Sequence, residues 1–241
     1  MNFNLEVPTA LEYFESLVQS DAHFPLLEAA ASLAQDEYPE FDIQQVLDQV
    51  DQLVGRLKQR LPADSGALQK LRLLNQFFFD ELGFGGNLND YYDPDNSFLH
   101  VVLRTRRGIP ISLAVLWLEL ATGLGLEAQG VSFPGHFLVK VRLPHPHDGM
   151  AVIDPFSGRS LGKEDLMERL MPLYNESGLV RNGEVSDDLL KQCLRTATPR
   201  EIMARMLRNL EEVYVSHNDA PRLALVKKRL QVLIPEAPDA D

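Results

Sequence analysis

RRGIPISLAVLW at residues 106–117, VSFPGHFLVKV at 131–141 and AVIDPF at 151–156 carry the change of hydrophobic period from which the fold is read. The run from Pro110 to about Thr122 is apolar on nearly every side, the pattern of a helix enclosed in a core rather than laid on a surface. Pro110 suits a first helical position, where the amide hydrogen it lacks would be unpaired anyway. The later pieces, with EAQGVSFP before them and the turn PHPHDG between them, bring Val, Phe and Ile in short runs broken by Pro and Gly, which predicts two or three strands. A buried helix followed by such strands predicts an α+β fold in which a small antiparallel sheet packs on that helix.

Upstream, apolar residues recur at helical spacing over four segments, Ala10 to Gln19, Pro25 to Asp36, Ile43 to Leu61 and Ser65 to Leu82, with Asp42 or Asp64 as candidate N-caps. GFGGNLNDYYDPDNS, from Gly83 to Ser97, reads as a long irregular connection, and SFLHVVLRTRRG as a short helix stopped at Gly108. Downstream, LGKEDLMERLMPLY is helical, the stretch around Leu189 to Thr196 is less clear, and Pro199 to Pro235 reads as an antiparallel helix pair broken at SHNDAP. The chain divides on this reading into a helical region at 1–82, an α+β core at 83–196 and a helical hairpin with a tail at 197–241. An isolated hairpin cannot cover its own apolar face, so docking on the core is expected.

Composition narrows the function classes. With 241 residues and 45% apolar content the chain can build a real core. A net charge of -12 speaks against generic nucleic-acid binding, which needs clustered Lys and Arg. No run approaches the ~20 apolar residues of a membrane span, and the first residues lack the basic and apolar blocks of a signal peptide, so neither membrane nor export is expected. Cys193 stands alone, which excludes an intramolecular disulfide and a zinc site of several thiolates, and a reducing cytoplasm fits. Charge is unevenly spread: residues 1–55 hold no Lys or Arg, whereas Lys191 to Gln231 holds Arg195, Arg200, Arg205, Arg208, Arg222, Lys227, Lys228 and Arg229. The two ends could attract each other, but solvated helix faces are the plainer expectation.

Three polar residues sit where chemistry is possible. Ser112 falls among the first residues of the buried helix, near unpaired N–H groups and the positive end of the dipole. His136 opens one strand and Asp154 closes another, so the carboxylate is expected to orient the imidazole, and the trio reads as nucleophile, base and orienting acid. The bland alternative makes Ser112 a helix-start residue bonded to the main chain, His136 a satisfied core histidine and Asp154 a turn initiator.

DPDNSFLHVVLRTRRGIPISLAVLW, PGHFLVKV and IDPFSGR resemble the SirB-type bacterial proteins, in which a transglutaminase-like, papain-related core precedes tetratricopeptide-like helices. The resemblance implies that Ser112 stands where active relatives place a cysteine, with His136 and Asp154 at their histidine and aspartate. A hydroxyl is far harder to ionise than a thiol, so transglutaminase activity is not expected. Tyr214 and Pro235 sit at tetratricopeptide offsets, but the small residues wanted near Glu211 and Lys227 are missing. A non-catalytic binding or regulatory protein acting on a protein or peptide partner is therefore expected. The alternative is a serine-dependent amide or ester hydrolase using Ser112, His136 and Asp154.

Other candidates carry less. His145, His147 and Asp148 form a turn with no matching ligand motif elsewhere, so no metal is expected, and no cofactor either. Arg104, Arg106 and Arg107 read as a solvated helix end, Trp117 as core, and Cys193 as having no catalytic role.

Overall fold

The computed structural model describes residues 8–146, 148–174, 180–181 and 184–235. Four helices open the chain: α1 (Ala10–Val18), α2 (Leu26–Ser32), α3 (Ile43–Lys58) and α4 (Ala67–Asn75). Thr9 and Glu12 close a reciprocal cap on α1, and Asp42 accepts the Gln44 N–H at 2.9 Å to start α3. The other expected cap, Asp64, is not used, because α4 begins at Ala67 behind Gly66. After Asn75 the helix widens into a π-turn over Gln76–Glu81, which buries Phe77 and Phe78 on one side.

The connection at 83–97 is far better fixed than its composition suggests. Strand β1 (Gly85–Gly86) pairs in parallel with β2 (Arg107–Gly108), and Pro94–Ser97 makes a 3-10 turn. Buried Asn96 bonds this segment to itself, donating to the Asp90 carbonyl at 2.6 Å and accepting from Asn87 at 2.9 Å. Between them lies α5 (Leu99–Thr105), which ends before the expected stop at Gly108 because Arg106 takes the left-handed conformation, φ 62°, and its N–H caps Val102.

Helix α6 (Pro110–Gly123) is the centre of the molecule, buried from Pro110 through Leu118 as its all-apolar pattern requires. Trp117 is fully buried and donates to Asn75 at 3.0 Å. The sheet runs antiparallel in the order β3 (Ala128–Val131), β4 (Leu138–Leu143), β5 (Gly149–Ile153), β6 (Ser160–Leu161). Val139, Val141 and Ile153 face the core that contains α6. Leu138 and Val152, of opposite parity, face a second cluster with Phe133 and with Leu166 and Leu170 of α7 (Lys163–Tyr174) and Leu190 of α8 (Asp187–Cys193). The α+β arrangement with a small sheet on a buried helix is thus the fold, with a fourth strand that the sequence did not reveal. The sheet's outer strand, β3, is met by the connector after α8: Ala197 N–H donates to the Gly130 carbonyl at 2.9 Å and Thr196 to Gln129 at 2.7 Å.

Helices α9 (Pro199–Ser216) and α10 (Ala220–Leu233) form the closing hairpin. Thr198 and Glu201 cap α9, which buries Met203, Met206, Leu207 and Leu210, and α10 buries Val226 and Leu233. These join one apolar core that begins at Phe14, so the hairpin is docked. Solvated faces were the plainer expectation for the unequal charge, and the packing overturns it: Arg229, 1% exposed, holds Asp36 at 2.6 and 3.0 Å, Arg200 holds Asp21 at 2.7 Å, and Arg222 holds Glu37. No helix of the described residues is long and apolar enough to cross a membrane.

Candidate functional site

Asp154 follows β5 directly and is 2% exposed. Its own turn sets its position: the Phe156 N–H donates to Oδ1 at 3.0 Å, the Gly158 N–H to its carbonyl at 2.8 Å, and Ser157 Oγ to Oδ2 at 3.0 Å. Two side chains complete the shell, the Arg169 guanidinium of α7 at 2.9 Å from Oδ2 and His136 Nε2 at 2.8 Å from Oδ1. Burial alone would raise this carboxyl, but the His136 bond and charge, the Arg169 bond and the Phe156 N–H outweigh it and hold it well below the usual carboxylate range. A carboxylate so held accepts the Nε2–H of His136, which leaves Nδ1 turned away from Asp154.

His136 comes from the turn before β4. Gly135, at φ +68°, supplies the left-handed step in Pro134–Gly135–His136 that side chains resist. The His136 N–H bonds back to the Phe133 carbonyl at 3.0 Å. The imidazole meets Phe156 edge-on at 6.3 Å between ring centres, and Phe156 meets Tyr91 at 6.0 Å. Beside these rings opens a recess of about 440 Å³ whose wall includes Tyr91, Pro110, Ile111, His136, Arg205 and Arg208.

Ser112 is placed differently. It is fully buried, its hydroxyl donates to the Asn96 carbonyl at 2.6 Å, and it accepts the Ile109 N–H at 3.2 Å. Gly108 makes room for that hydroxyl, since a Cβ there would lie 2.7 Å from Oγ. Helix phase explains the placement. At ~100° per residue, Ser112 lies roughly 200° around α6 from Pro110, so a helix that presents Pro110 to the recess turns Ser112 away. The structure therefore joins His136 to Asp154, and gives the Ser112 hydroxyl main-chain partners instead.

Arg169, Ser157, Tyr91, Arg205 and Arg208 were not read from the sequence; only the unequal charge of the two ends hinted that arginines of 191–231 would matter. The remaining candidates lie elsewhere. Arg106 covers the Phe84 ring at 4.6 Å, and Arg107 donates to the Gly83 carbonyl at 2.6 Å. Cys193 is buried beside Tyr174, 4.0 Å from its hydroxyl. His145 and Asp148 share an exposed turn at 3.4 Å, and His147 is outside the described residues.

The family model described as the transglutaminase-like superfamily matches residues 44–208. A UPF0162 protein of Xylella fastidiosa is 42% identical over 222 residues, spanning 91% of this chain and 75% of that protein. A UPF0162 protein of Pseudomonas aeruginosa is 31% identical over 210 residues, 86% of this chain and 71% of that protein. A further 72-residue match, 30% of this chain, is 44% identical to 12% of the F-box only protein 21 of Homo sapiens. No solved structure matches the chain.

Proposed function

The chain belongs to the transglutaminase-like superfamily and to the UPF0162 family within it, and from that premise we propose a non-catalytic binding or regulatory protein that takes a peptide segment of a protein partner at the His136 recess. One observation carries this reading. The helix-start residues that line the recess beside His136 are Pro110 and Ile111, neither of which holds a nucleophile, while the nearby hydroxyl of Ser112 is committed to the Asn96 carbonyl. His136 and Asp154 keep the orienting geometry of a base and its acid with no acyl acceptor to serve. The SirB-type reading belongs to the same proposal, with α9 contributing to the partner surface as a tetratricopeptide-like element and the cytoplasm as the compartment.

The hydrolase reading keeps the His136–Asp154 contact of 2.8 Å in its favour, and one reagent separates the two. A fluorophosphonate probe is expected to leave Ser112 unlabelled, and a glutamine peptide with a fluorescent amine is expected to show no incorporation. Covalent labelling at Ser112 that disappears in His136→Ala would replace the binding reading with the hydrolase one.

A further inference from the structure

Two arginines meet at the recess. In a chain of net charge -12, Arg205 and Arg208 of α9 line it together, and neither forms an ion pair among the described residues. Arg205 is half-buried over the Phe137 ring, 5.6 Å to the centroid, and its one protein acceptor is the Phe133 carbonyl at 3.2 Å. Arg208 is exposed, one turn along, and has no partner among the described residues. Glu212 lines the same wall and its charge is felt at Arg205 without an ion pair to either guanidinium among the described residues, Asn209 lines it too, and His136 shares the recess with Nδ1 unengaged by Asp154. A guanidinium carries five donors in a planar fork suited to a carboxylate, and one half-buried with a single acceptor leaves most of them unmet.

The rim adds a second character. Tyr92, 62% exposed, packs edge-on to Tyr91, which continues through Phe156 to His136 as a row of aromatic rings leading into the recess. Exposed Leu173 stands on the other flank beside Gly135. Aromatic surface next to unpaired arginines matches an apolar side chain adjacent to a carboxylate.

We infer that the recess is a carboxylate receptor: Arg205 and Arg208 clamp an acidic group of a bound peptide while Tyr91 and Tyr92 hold its apolar neighbour. The inference rests on the binding reading above and names its ligand chemistry. A peptide carboxylate has two sources, an acidic side chain and a chain terminus, and the probes distinguish them.

The full-length protein is titrated, with NMR detection of the arginine Nε–H signals, against three probes: acetyl-Phe-Glu-Phe-amide, its Gln counterpart, and acetyl-Phe-Phe with a free C-terminus. Mass spectrometry follows each probe afterwards. The expected result is saturable binding of at least one carboxylate probe, at least tenfold weaker binding of the uncharged one, and weakening with added salt. Arg208→Gln should weaken binding about tenfold, the loss of one charge-assisted hydrogen bond, while Arg142→Gln on the far surface leaves it unchanged. Preference for the Glu probe assigns the site to a side chain, and preference for the free terminus assigns it to a chain end. Equal affinity for the Glu and Gln probes, no saturation by either carboxylate, or an unchanged affinity in Arg208→Gln overturns the carboxylate receptor. Cleaved probe in the mass spectrum overturns the non-catalytic reading instead, so the two failures are told apart.

Discussion

The arginines of the closing hairpin meet two different fates. Toward the N-terminal helices, Arg200, Arg222 and Arg229 each reach a carboxylate, and Arg229 does so while almost wholly buried. Toward the recess, Arg205 and Arg208 of the same hairpin form no ion pair among the described residues. The seam is thus a place where the chain satisfies its own charge, and at its buried pair removing Asp36 strands Arg229 in a low-dielectric interior, whereas the Arg200 and Arg222 pairs lie at its exposed edge. The recess leaves charge facing water, where little folding energy depends on it and an incoming ligand can use it. On the proposal above, stability and recognition are separated across two faces of one helical pair.

That separation can be broken by measurement, beginning at the seam. Asp36→Ala should cost about 3–5 kcal/mol in urea unfolding, because Arg229 would keep only the Ser32 carbonyl as partner. Replacing both partners together, Arg229→Met with Asp36→Leu, should recover most of the loss. If the single change proves nearly neutral, the seam is not the stabilising side.

Asp154→Asn is expected to rank next, at about 2–3 kcal/mol, since it leaves Arg169 without its counter-charge and His136 without a carboxylate acceptor. The sign with pH follows from the direction of the shift. A carboxyl held below its unfolded value stabilises fully above about pH 4 and loses that contribution as pH falls through its folded value. The stability gap between wild type and variant should persist from neutral pH to about 4 and narrow only in stronger acid. A gap that closes between pH 7 and 5 would contradict the ionised carboxylate.

Ser112→Ala should cost about 1–2 kcal/mol, by leaving the Ile109 N–H and the Asn96 carbonyl only their long mutual bond of 3.4 Å. No loss of stability in chemical denaturation would mean the hydroxyl is free for other work. Smallest of all, Arg208→Gln should shift stability by less than about 0.5 kcal/mol, the range of an exposed substitution. A large loss there would erase the contrast between seam and recess.

Legibility in the sequence followed the range of the forces involved. The buried helix, the three main strands and the His136–Asp154 pair were readable because each rests on local pattern: an all-apolar run, alternating β-branched residues, and the Pro-Gly-His and Asp-Pro turns that end strands. The facing of Ser112 was not readable from its place near a helix start, because two residues of helix reverse the direction of a side chain. The charge asymmetry was visible, but which arginine meets which acid is settled by packing between residues some 180 to 200 apart in the chain, as with Arg229 and Asp36. The π-turn at Gln76–Glu81 left no compositional trace, and the short pairing of Gly85–Gly86 with Arg107–Gly108 depends on two main chains meeting rather than on side-chain pattern.

The connector at Thr196 and Ala197 has a consequence for how copies of this protein behave at high concentration. A sheet whose outermost strand is bare offers its amides and carbonyls as a template, and neighbouring chains can stack onto it strand upon strand. Here the Ala197 N–H occupies the Gly130 carbonyl, the Thr196 hydroxyl bonds the Gln129 side chain beside it, and the opposite margin is a strand of only two residues. The sheet is closed to growth at one margin by its own chain and at the other by brevity. Loosening the Thr198 cap, as in Thr198→Ala, is therefore expected to raise thioflavin-T-positive aggregation at high concentration, and an unchanged aggregation rate would remove this role from the connector.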